Sequence, residues 1–319
     1  MASVVLVAPL HLSGFMEEDV ALLRSMGHVV VVTDHRPLSI FRATRALGRR
    51  GVVVVWFAAE HAFYAVVAAR MHGLRSLIIV GGVEGAEIRL PHVSYGLWTR
   101  PWHVRWRASW AMRHASELWA VAPHLASAIS DRIGRRPSVV PTVFDSETFR
   151  PASRKEGVIF CCASSDSNYR WRKGYWQVRE AARSVAVPFT IVGGPDDSWP
   201  ENSLFTGYLE RPAYAEALSR ARVIVNASVF EGLNNSLCEG MLAGALPVVS
   251  KAEGNLHVIE GLPANCYWSY TDTDALVDSI NEAYQSWTEE KSTAVRAHIL
   301  GKFPEARRRE ALASFLEAA

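Results

Sequence analysis

The stretch from Glu231 to Ser250 combines residue types and spacing that suit anion chemistry. It reads Glu-Gly-Leu-Asn-Asn-Ser-Leu-Cys-Glu-Gly-Met-Leu-Ala-Gly-Ala-Leu-Pro-Val-Val-Ser, which predicts a loop, a helix, a tight turn and a strand. Asn234, Asn235 and Ser236 lie where the helix is predicted to begin, and the N–H groups of a first helical turn point out of the helix start. A diphosphate is therefore the kind of ligand expected there.

Two carboxylates flank this predicted helix start. Glu231 lies in the loop before the helix, and Glu239 is expected in its first turn. Because carboxylates repel phosphates, we expect both to accept hydrogen bonds from sugar hydroxyls at either end of a nucleotide sugar. A purely structural alternative is open for Glu239, since Ser236-x-x-Glu239 also fits a capping box in which the glutamate bonds back to the N-cap amide.

A second candidate segment is the loop that begins at Ser164, after the first strand of the same predicted domain. It contains three cations in four positions, Arg170, Arg172 and Lys173, next to Gly174. Guanidinium and ammonium groups so placed suit a phosphate clamp. The alternative is an ordinary solvated turn, and the nearby helix start is what favours the clamp.

These segments resemble a known family. Glu231 and Glu239, with seven residues between them and Gly-Met-Leu-Ala-Gly-Ala-Leu-Pro-Val-Val after them, are similar to the EGxPNxxLEAMAxGxPVV signature of the retaining GT4 glycosyltransferases. Four further segments resemble that family in order and spacing: the interdomain run 139–151, the Arg-Lys-Gly start at 172–174, the strand end at 192–194 and the turn at 205–207. The resemblance implies the α/β GT-B fold, with two Rossmann-like domains whose parallel sheets face each other across a cleft.

The resemblance also implies an activity. It predicts an enzyme that moves a hexose-type sugar from a nucleotide-sugar donor, UDP- or GDP-linked, to a glycan or lipid-linked acceptor with retention of configuration, as in polysaccharide biosynthesis. No cofactor and no metal are expected, because fixed cations and a helix start would neutralise the leaving diphosphate.

Roles for matched residues follow from the same resemblance. Glu231 would contact the transferred sugar, Glu239 would hold the ribose hydroxyls, and Lys173 would neutralise the leaving diphosphate. The family's usual arginine position is Ser167 here, so Arg170 or Arg172 must substitute, and we favour Arg172. The other predicted donor-binding residues are Gly14, Asn234, Asn235, Ser236, Leu237, Gly207 and Tyr208.

One departure concerns the end of the fourth predicted strand. Many family members have a histidine near the sugar there, whereas this chain has Gly81-Gly82-Val83-Glu84, which resembles a GGxD variant. Gly82 and Glu84 are therefore predicted contacts for sugar or acceptor. The alternative for Glu84 is that it caps a turn.

The elements that must position these residues alternate in type. Short β-branched runs at 4–8, 29–33, 52–57, 77–80 and 118–121 precede or follow helical patterns at 17–26, 62–72 and 123–133. A second series predicts strands 158–161, 189–192, 223–226 and 246–249, with helices 175–185, 212–220 and 237–243. Such alternation indicates parallel sheets covered by helices. Ligands of such sheets bind beyond the carboxyl ends of the strands.

The polar, aperiodic run after Val140 marks a predicted domain boundary near Pro151. We expect an acceptor-binding domain at 1–150 and a nucleotide-sugar-binding domain at 151–319. A last helix at about 304–319 is a candidate to cross back to the first domain.

The composition excludes several classes of protein. With 319 residues, 34 basic and 32 acidic, the net charge is only +2, which gives no reason to expect nucleic-acid binding. The four cysteines show no CxxC spacing that would suggest zinc or a disulfide framework. Without a signal-peptide pattern or an apolar run of about 18 residues, the expected location is cytoplasmic.

Four tryptophans recur every fourth residue, at Trp98, Trp102, Trp106 and Trp110, between arginines. Such a stripe usually packs against the rest of its own domain, here the first one. The alternative is peripheral contact with the inner face of the membrane, as basic amphipathic helices make.

Three other functions can be compared with the same residues. A glycoside hydrolase using Glu231 and Glu239 requires one carboxylate with a raised pKa. A noncatalytic subunit that binds nucleotide sugar or glycan would explain the departures from the signature. A nicotinamide dehydrogenase is disfavoured because no GxGxxG follows the first strand.

Overall fold

A computed structural model describes residues 3–7, 13–48, 51–194 and 199–318. The described residues form two units, each built on its own parallel sheet. The first unit comprises the described parts of Met1–Arg89, Ser94–Val143 and Pro304–Ala319, and the second comprises Leu90–Val93 and Phe144–Phe303. The division thus falls at Val143, a few residues before the predicted boundary, and the last helix belongs to the first unit.

The first unit contains a six-stranded sheet in the order β2-β1-β3-β4-β7-β8. The strands of the first half of the chain are β1 (Ser3–Val7), β2 (Val29–Thr33), β3 (Gly51–Trp56), β4 (Arg75–Val80), the paired β5 (Ile88–Leu90) and β6 (Val93–Tyr95), β7 (Glu117–Ala120) and β8 (Ser138–Val139). The helices are α1 (Gly14–Ser25), α2 (Pro37–Ala46), α3 (Glu60–Met71), α4 (Trp102–His114) and α5 (Pro123–Ile133), with α13 (Glu305–Glu317) added from the chain's end.

Burial explains why the central strands read as uninterrupted apolar runs. Every residue of β3 is buried, because helices cover both faces of the sheet, whereas the edge strand β2 is partly exposed. Helices α1 and α13 are joined to β3 by a buried ion pair: Arg308 donates to Asp19 at 2.6 and 3.0 Å, and the indole N–H of Trp56 donates to the same carboxylate at 2.8 Å. Removing one partner of such a pair costs about 3–5 kcal/mol, so α13 is firmly anchored in this unit.

The second unit repeats the plan with strands ordered β11-β10-β9-β12-β13-β14. Its strands are β9 (Val158–Cys161), β10 (Phe189–Val192), β11 (Ser203–Gly207), β12 (Val223–Asn226), β13 (Leu246–Val249) and β14 (Trp268–Ser269). Its helices are α6 (Ser167–Arg172), α7 (Tyr175–Ser184), α8 (Arg211–Arg220), α9 (Asn235–Leu242), α10 (Glu253–Ile259), α11 (Thr273–Gln285) and α12 (Glu289–Lys302).

The chain order fixes where a ligand can bind in this second sheet. From β9 the chain runs outward through β10 and β11, then returns to place β12 on the other side of β9. Helices α7 and α11 pack on one face, and α9 and α12 on the other. The connections leave β9 and β12 in opposite directions, so a crevice opens beyond their carboxyl ends. The predicted α/β fold with parallel sheets is confirmed.

Candidate functional site

The loops that follow β9 and β12 carry the candidate residues of the second unit. The first loop leads into α6, a helix not predicted from the sequence, whose N-cap Asp166 accepts a hydrogen bond from the amide of Tyr169 at 2.8 Å. Arg172 ends this helix and Lys173 caps it. The second loop, after β12, carries Glu231. Strand order therefore brings residues 58 positions apart to the same end of the sheet.

Two glycines allow close backbone approach at this end of the sheet. Gly174 has a φ of 69°, and a Cβ there would lie 2.4 Å from the Cβ of Ala227. A side chain on Gly254 would lie 2.5 Å from the carbonyl oxygen of Glu231. The amide of Val229 donates to the carbonyl of Arg172 at 2.8 Å, which ties the two loops together. A larger residue at Gly174 would push the two loops apart, and one at Gly254, on α10, would push that helix away from the loop of Glu231.

The charged side chains at this site form a buried ion cluster around Glu231. Lys173 Nζ donates to Glu231 Oε1 at 2.6 Å, and the hydroxyl of Ser228 donates to the same oxygen at 2.5 Å. Arg172 Nη1 lies 3.6 Å from that oxygen and donates to the carbonyl of Phe230 at 3.0 Å. All three charged side chains are buried. With two cations and one anion, the cluster has a net charge of +1.

The cluster shifts the pKa of its members in opposite directions. Burial alone disfavours the ammonium form of Lys173, but the Glu231 carboxylate outweighs burial and raises the pKa of this lysine. Burial also disfavours the carboxylate of Glu231, yet Lys173 and Arg172 hold its pKa below the usual value. Both side chains are therefore charged at neutral pH.

A network of buried amides orients the start of α9. The side chain of Asn234 accepts from the amide of Leu237 at 3.2 Å and from the hydroxyl of Ser236 at 3.0 Å, so Asn234 is the N-cap. Its Nδ2 donates to Asn255 at 2.7 Å, and Asn255 in turn donates to Asn226, the last residue of β12, at 2.9 Å. The helix start is thus held to the carboxyl end of the sheet.

This geometry corrects two expectations about α9. The helix begins at Asn235, so Glu239 lies in the second turn and not in the first. Ser236 is inside the helix, which rules out the capping box between Ser236 and Glu239, because Asn234 fills the cap position. The amide of Leu237 donates to this cap. Asn235 and Ser236 begin the first turn, where the backbone N–H groups of a helix point outward.

Glu239 contacts a different element. Its Oε2 accepts from the hydroxyl of Tyr214 on α8 at 2.9 Å. Glu231 and Glu239 thus have different hydrogen-bond partners: Lys173 and Ser228 donate to the first, and Tyr214 donates to the second. The two candidates after β11 lie at the carboxyl edge as well: Gly207 ends that strand with a φ of 66°, and Tyr208 is 75% exposed.

The two arginines considered for phosphate binding have different surroundings. Arg172 lies beside Glu231, whereas the Arg170 guanidinium stacks over the ring of Trp176 at 4.8 Å and near Tyr175 at 5.4 Å. Of the two, the structure brings only Arg172 into the ion cluster. Phosphate binding by Arg172 stays a prediction.

The first unit contains three of the predicted site residues, Gly14, Gly82 and Glu84. Gly14 is the first residue of α1, at the described end of a loop whose residues 8–12 lie outside the described ranges. Glu84 is fully buried; its oxygens accept from the amides of Ala58 at 2.6 Å and Gly82 at 3.1 Å. Burial raises the pKa of Glu84. Glu84 therefore caps the backbone turns around it, which was the alternative to a sugar contact.

The four tryptophans of the stripe differ in their exposure to solvent. Trp98 is buried, and its indole N–H donates to the carbonyl of Glu84 at 2.7 Å. Trp110 packs on Phe63, with ring centroids 5.1 Å apart. Trp102 and Trp106, on the first turns of α4, are 71% and 54% exposed.

Several residues of the second site were missed by sequence reasoning: Ser228, Asn226, Asn255 and Tyr214. Asn226 ends β12 and Ser228 follows that strand, both as buried polar residues, whereas Asn255 lies on α10. Polar residues at a strand end next to the predicted site were the available signal for Asn226 and Ser228. Tyr214 lies on a helix face and gave no such signal.

Within the described ranges, no group of three or more His, Cys, Asp or Glu side chains is arranged to hold a metal ion. In the same ranges, no helix combines the length and the apolar character needed to cross a membrane.

Comparisons with known proteins agree with this architecture. Residues 158–286 match the family described as "Glycosyl transferases group 1". This range includes Arg172, Lys173, Glu231 and Glu239. No curated protein matches the sequence.

Solved structures show the same fold at low sequence identity. HepE from Anabaena, crystallised in complex with UDP and glucose, has a TM-score of 0.76 and 14% identity, and the match covers 100% of both chains. Sucrose-phosphate synthase from Thermosynechococcus elongatus has a TM-score of 0.81 and 12% identity, covering 100% of this chain and 99% of the other. The lipopolysaccharide outer core galactosyltransferase WaaB has a TM-score of 0.66 and 13% identity, covering 100% and 99%. The fold is that of the GT-B glycosyltransferases.

Proposed function

We propose that this protein is a retaining, metal-independent glycosyltransferase of the GT4 type that uses a nucleotide-hexose donor. The observation that carries the proposal is the buried Arg172–Lys173–Glu231 cluster at the switch point of a sheet matched by the group 1 glycosyltransferase family. UDP and GDP are the proposed donor nucleotides. Structures of HepE contain UDP with glucose, or UDP-glucose, which supports this choice.

The charges of the cluster suit a leaving diphosphate. Glu231 neutralises only one of its two neighbouring cations, so a net charge of +1 is available to an anion. Lys173 has three N–H donors, and one is used by Glu231 in this structure. In the proposed reaction, Lys173 and Arg172 stabilise the negative charge that develops when the bond between the anomeric carbon and the phosphate oxygen breaks.

Outward N–H groups of α9 complete the proposed phosphate site. Asn235 and Ser236 would donate to the diphosphate, and Asn234 would hold the helix start in place. Leu237 contributes through the hydrogen bond that its backbone N–H donates to the side chain of Asn234. Gly207 and Tyr208, at the end of β11, are proposed to border the nucleotide.

Glu231 and Glu239 are proposed to bind opposite ends of the donor. Glu231 would accept hydrogen bonds from the transferred sugar, and Glu239 from the ribose. The acceptor hydroxyl would attack the anomeric carbon on the face that the diphosphate leaves. Its proton would pass to the departing phosphate oxygen, which gives retention without an enzyme ester.

A hydrolase mechanism fits the same residues less well. A general acid needs a raised pKa, whereas Lys173 and Arg172 hold the pKa of the buried Glu231 below its usual value. A noncatalytic binding role stays an alternative, and it predicts nucleotide affinity without turnover.

The proposed acceptor is a glycan or a lipid-linked glycan, with the reaction on the cytoplasmic side. Exposed Trp102 and Trp106 on α4 support peripheral contact with an anionic bilayer. Co-sedimentation with phosphatidylglycerol vesicles would test this: the Trp102→Ala, Trp106→Ala double variant should stay in the supernatant while wild type sediments. Wild type that stays in the supernatant would exclude the contact.

Donor binding is the test of the main proposal. Calorimetry and thermal shift with UDP, GDP, ADP, TDP and their hexose conjugates should show one nucleotide that binds in the presence of EDTA. Glu239→Ala should lose it. If no nucleotide binds, or if the variant binds equally well, the transferase proposal is wrong. NMR of the product's anomeric proton then distinguishes retention from inversion.

A further inference from the structure

Tyr214 lies beside Glu239 in the second unit but has no role in the proposed reaction. It lies on α8, and its hydroxyl donates to Glu239 Oε2 at 2.9 Å. The two residues are 25 positions apart and belong to different helices. A hydrogen bond from a neutral donor to a carboxylate is a strong one, so Tyr214 selects one orientation of the Glu239 side chain.

The ring of Tyr214 is itself held in place. Phe149 is fully buried and packs edge-to-face against it, with the ring centroids 6.0 Å apart. The thiol of Cys161, at the end of β9, also hydrogen-bonds with the Tyr214 side chain. Burial raises the pKa of this tyrosine well above its usual value, and the neighbouring thiol and carboxylate act in the same direction. Its hydroxyl therefore keeps the proton that it donates to Glu239.

We propose that Tyr214 is a positioning residue for Glu239 and that, through it, the site selects a ribonucleotide donor over a 2′-deoxyribonucleotide donor. The inference rests on the proposed function, in which Glu239 accepts hydrogen bonds from the ribose. An ionised carboxylate has about four acceptor sites on its two oxygens. Tyr214 uses one of them, and in the proposed function the hydroxyls of the ribose use others.

The geometry also explains why orientation matters here. Glu239 lies on the second turn of α9, past the N-cap, and a glutamate side chain has three rotatable torsions. Without the tyrosine hydroxyl, the Glu239 side chain loses one of the contacts that restrict its rotamers, and binding must then supply that restriction. A deoxyribose offers only one of the two neighbouring hydroxyls, so it depends less on that orientation.

The test compares affinities for UDP and 2′-deoxy-UDP, and for GDP and 2′-deoxy-GDP, in wild type and Tyr214→Phe. We expect wild type to prefer the ribonucleotide of the bound pair by about tenfold, the size of one hydrogen bond to a charged group. In Tyr214→Phe this preference should fall to about twofold. In turnover, the donor KM should rise about fivefold and kcat should stay within about twofold, because the variant leaves the Lys173–Glu231 cluster intact.

Tyr270→Phe is the matched control, because it removes another buried tyrosine hydroxyl from the same unit. The hydroxyl of Tyr270 has no hydrogen-bond partner among the described residues. This control should keep the full preference for the ribonucleotide. If Tyr214→Phe also keeps it while wild type shows it, Tyr214 does not position Glu239, and the proposed function stands. If wild type binds both sugars equally or binds neither, Glu239 does not hold the ribose, and both proposals fall.

A double-mutant cycle covers the case in which Tyr214→Phe is too unstable to assay at ordinary temperature. Glu239→Gln alone should reduce the ribonucleotide preference, and adding Tyr214→Phe to it should change the preference no further. Independent effects that multiply in the double variant would overturn the inference.

Discussion

The second unit contains two buried lysines, Lys173 and Lys155, which differ in their partners. Lys173 donates to the carboxylate of Glu231, in the loop before helix α9. Lys155 donates to the carbonyl of Ala243, at the end of the same helix, and to that of Ala221, at the end of α8, at 2.9 Å. Both side chains are almost inaccessible to solvent.

The pKa of each lysine follows from its partners. At Lys173 the Glu231 carboxylate outweighs burial and raises the pKa. At Lys155 burial lowers the pKa to about 7, and no charged group offsets it among the described residues. A cation that binds phosphate must stay charged at neutral pH, and a counter-ion makes this possible in a buried site. Lys155 instead suits the carbonyl groups that end a helix.

The largest expected difference between the two lysines is in turnover. Lys173→Met removes a cation next to the proposed leaving group, so we expect kcat to fall about a thousandfold. Lys155→Met is the matched control, because it makes the same change at a buried lysine of the same unit. Its kcat should stay within about twofold of wild type. Steady-state sugar transfer measures both. Equal losses in the two variants would show that stability, and not phosphate contact, explains the effect.

The second prediction concerns the pKa of Lys173, which should become low, like that of Lys155, when its counter-ion is removed. Glu231→Gln removes the counter-ion, so burial and the positive charge of Arg172 should lower the pKa of Lys173. Wild type has a raised pKa there, and its lysine stays charged as the pH rises through neutral and moderately alkaline values. In the variant the affinity for UDP or GDP should therefore be lost at a lower pH than in wild type.

Calorimetric titrations from about pH 6 to about pH 10 measure this difference. Glu180→Gln, on the exposed face of α7, is the control and should follow wild type. If Glu231→Gln and wild type lose affinity at the same pH, Glu231 does not set the charge of Lys173.

Much of the second sheet was predictable from the sequence because its central strands are buried on both faces. The strands at Val158–Cys161, Phe189–Val192, Val223–Asn226 and Leu246–Val249 have the predicted bounds. Continuous apolar runs between glycine-rich turns mark such strands locally. Helix α6 was missed, because its six polar and aromatic residues have no helical periodicity, and its cap on Asp166 is the local feature that starts it.

The local sequence does not decide which residue is the N-cap of α9. Asn234, Asn235 and Ser236 are three consecutive candidates for the N-cap, and each has a side chain that accepts a hydrogen bond. The bond between Asn234 and Asn255, 21 positions later, selects the first of them. Contacts of this kind depend on how strands order in space, and so does the bond between Tyr214 and Glu239. The residue types of the ion cluster were predicted, but their distances required the fold.

The third prediction concerns stability and pH at Lys155. The folded-state pKa of about 7 lies below the usual 10.5, so the protein favours the neutral amine. The contribution of Lys155 to stability is therefore largest above about pH 10.5 and is lost as the pH falls towards 7. Lys155→Met cannot titrate. The difference in unfolding free energy between wild type and Lys155→Met should thus decrease by about 3 kcal/mol from pH 10 to pH 7.

Urea unfolding at several pH values measures that difference. Lys291→Met, on α12, is the control, because it makes the same change at a lysine that is less buried than Lys155; its difference from wild type should change little with pH. A constant difference for Lys155→Met would mean that Lys155 stays charged in the folded protein, and the contrast with Lys173 would then be lost.

The smallest expected effect concerns the hydrogen bond that Ser228 donates to Glu231, the counter-ion of Lys173. Ser228→Ala removes the hydroxyl that donates to Glu231 Oε1 at 2.5 Å, while Lys173 and Arg172 stay beside that carboxylate. Loss of one hydrogen bond to a charged group, with other partners present, should lower kcat/KM about fivefold. Ser219→Ala, which removes an exposed hydroxyl bonded to the carbonyl of Glu216, should leave it unchanged. A loss as large as that of Lys173→Met would mean that the orientation of Glu231, and not the charge of the lysine, limits the reaction.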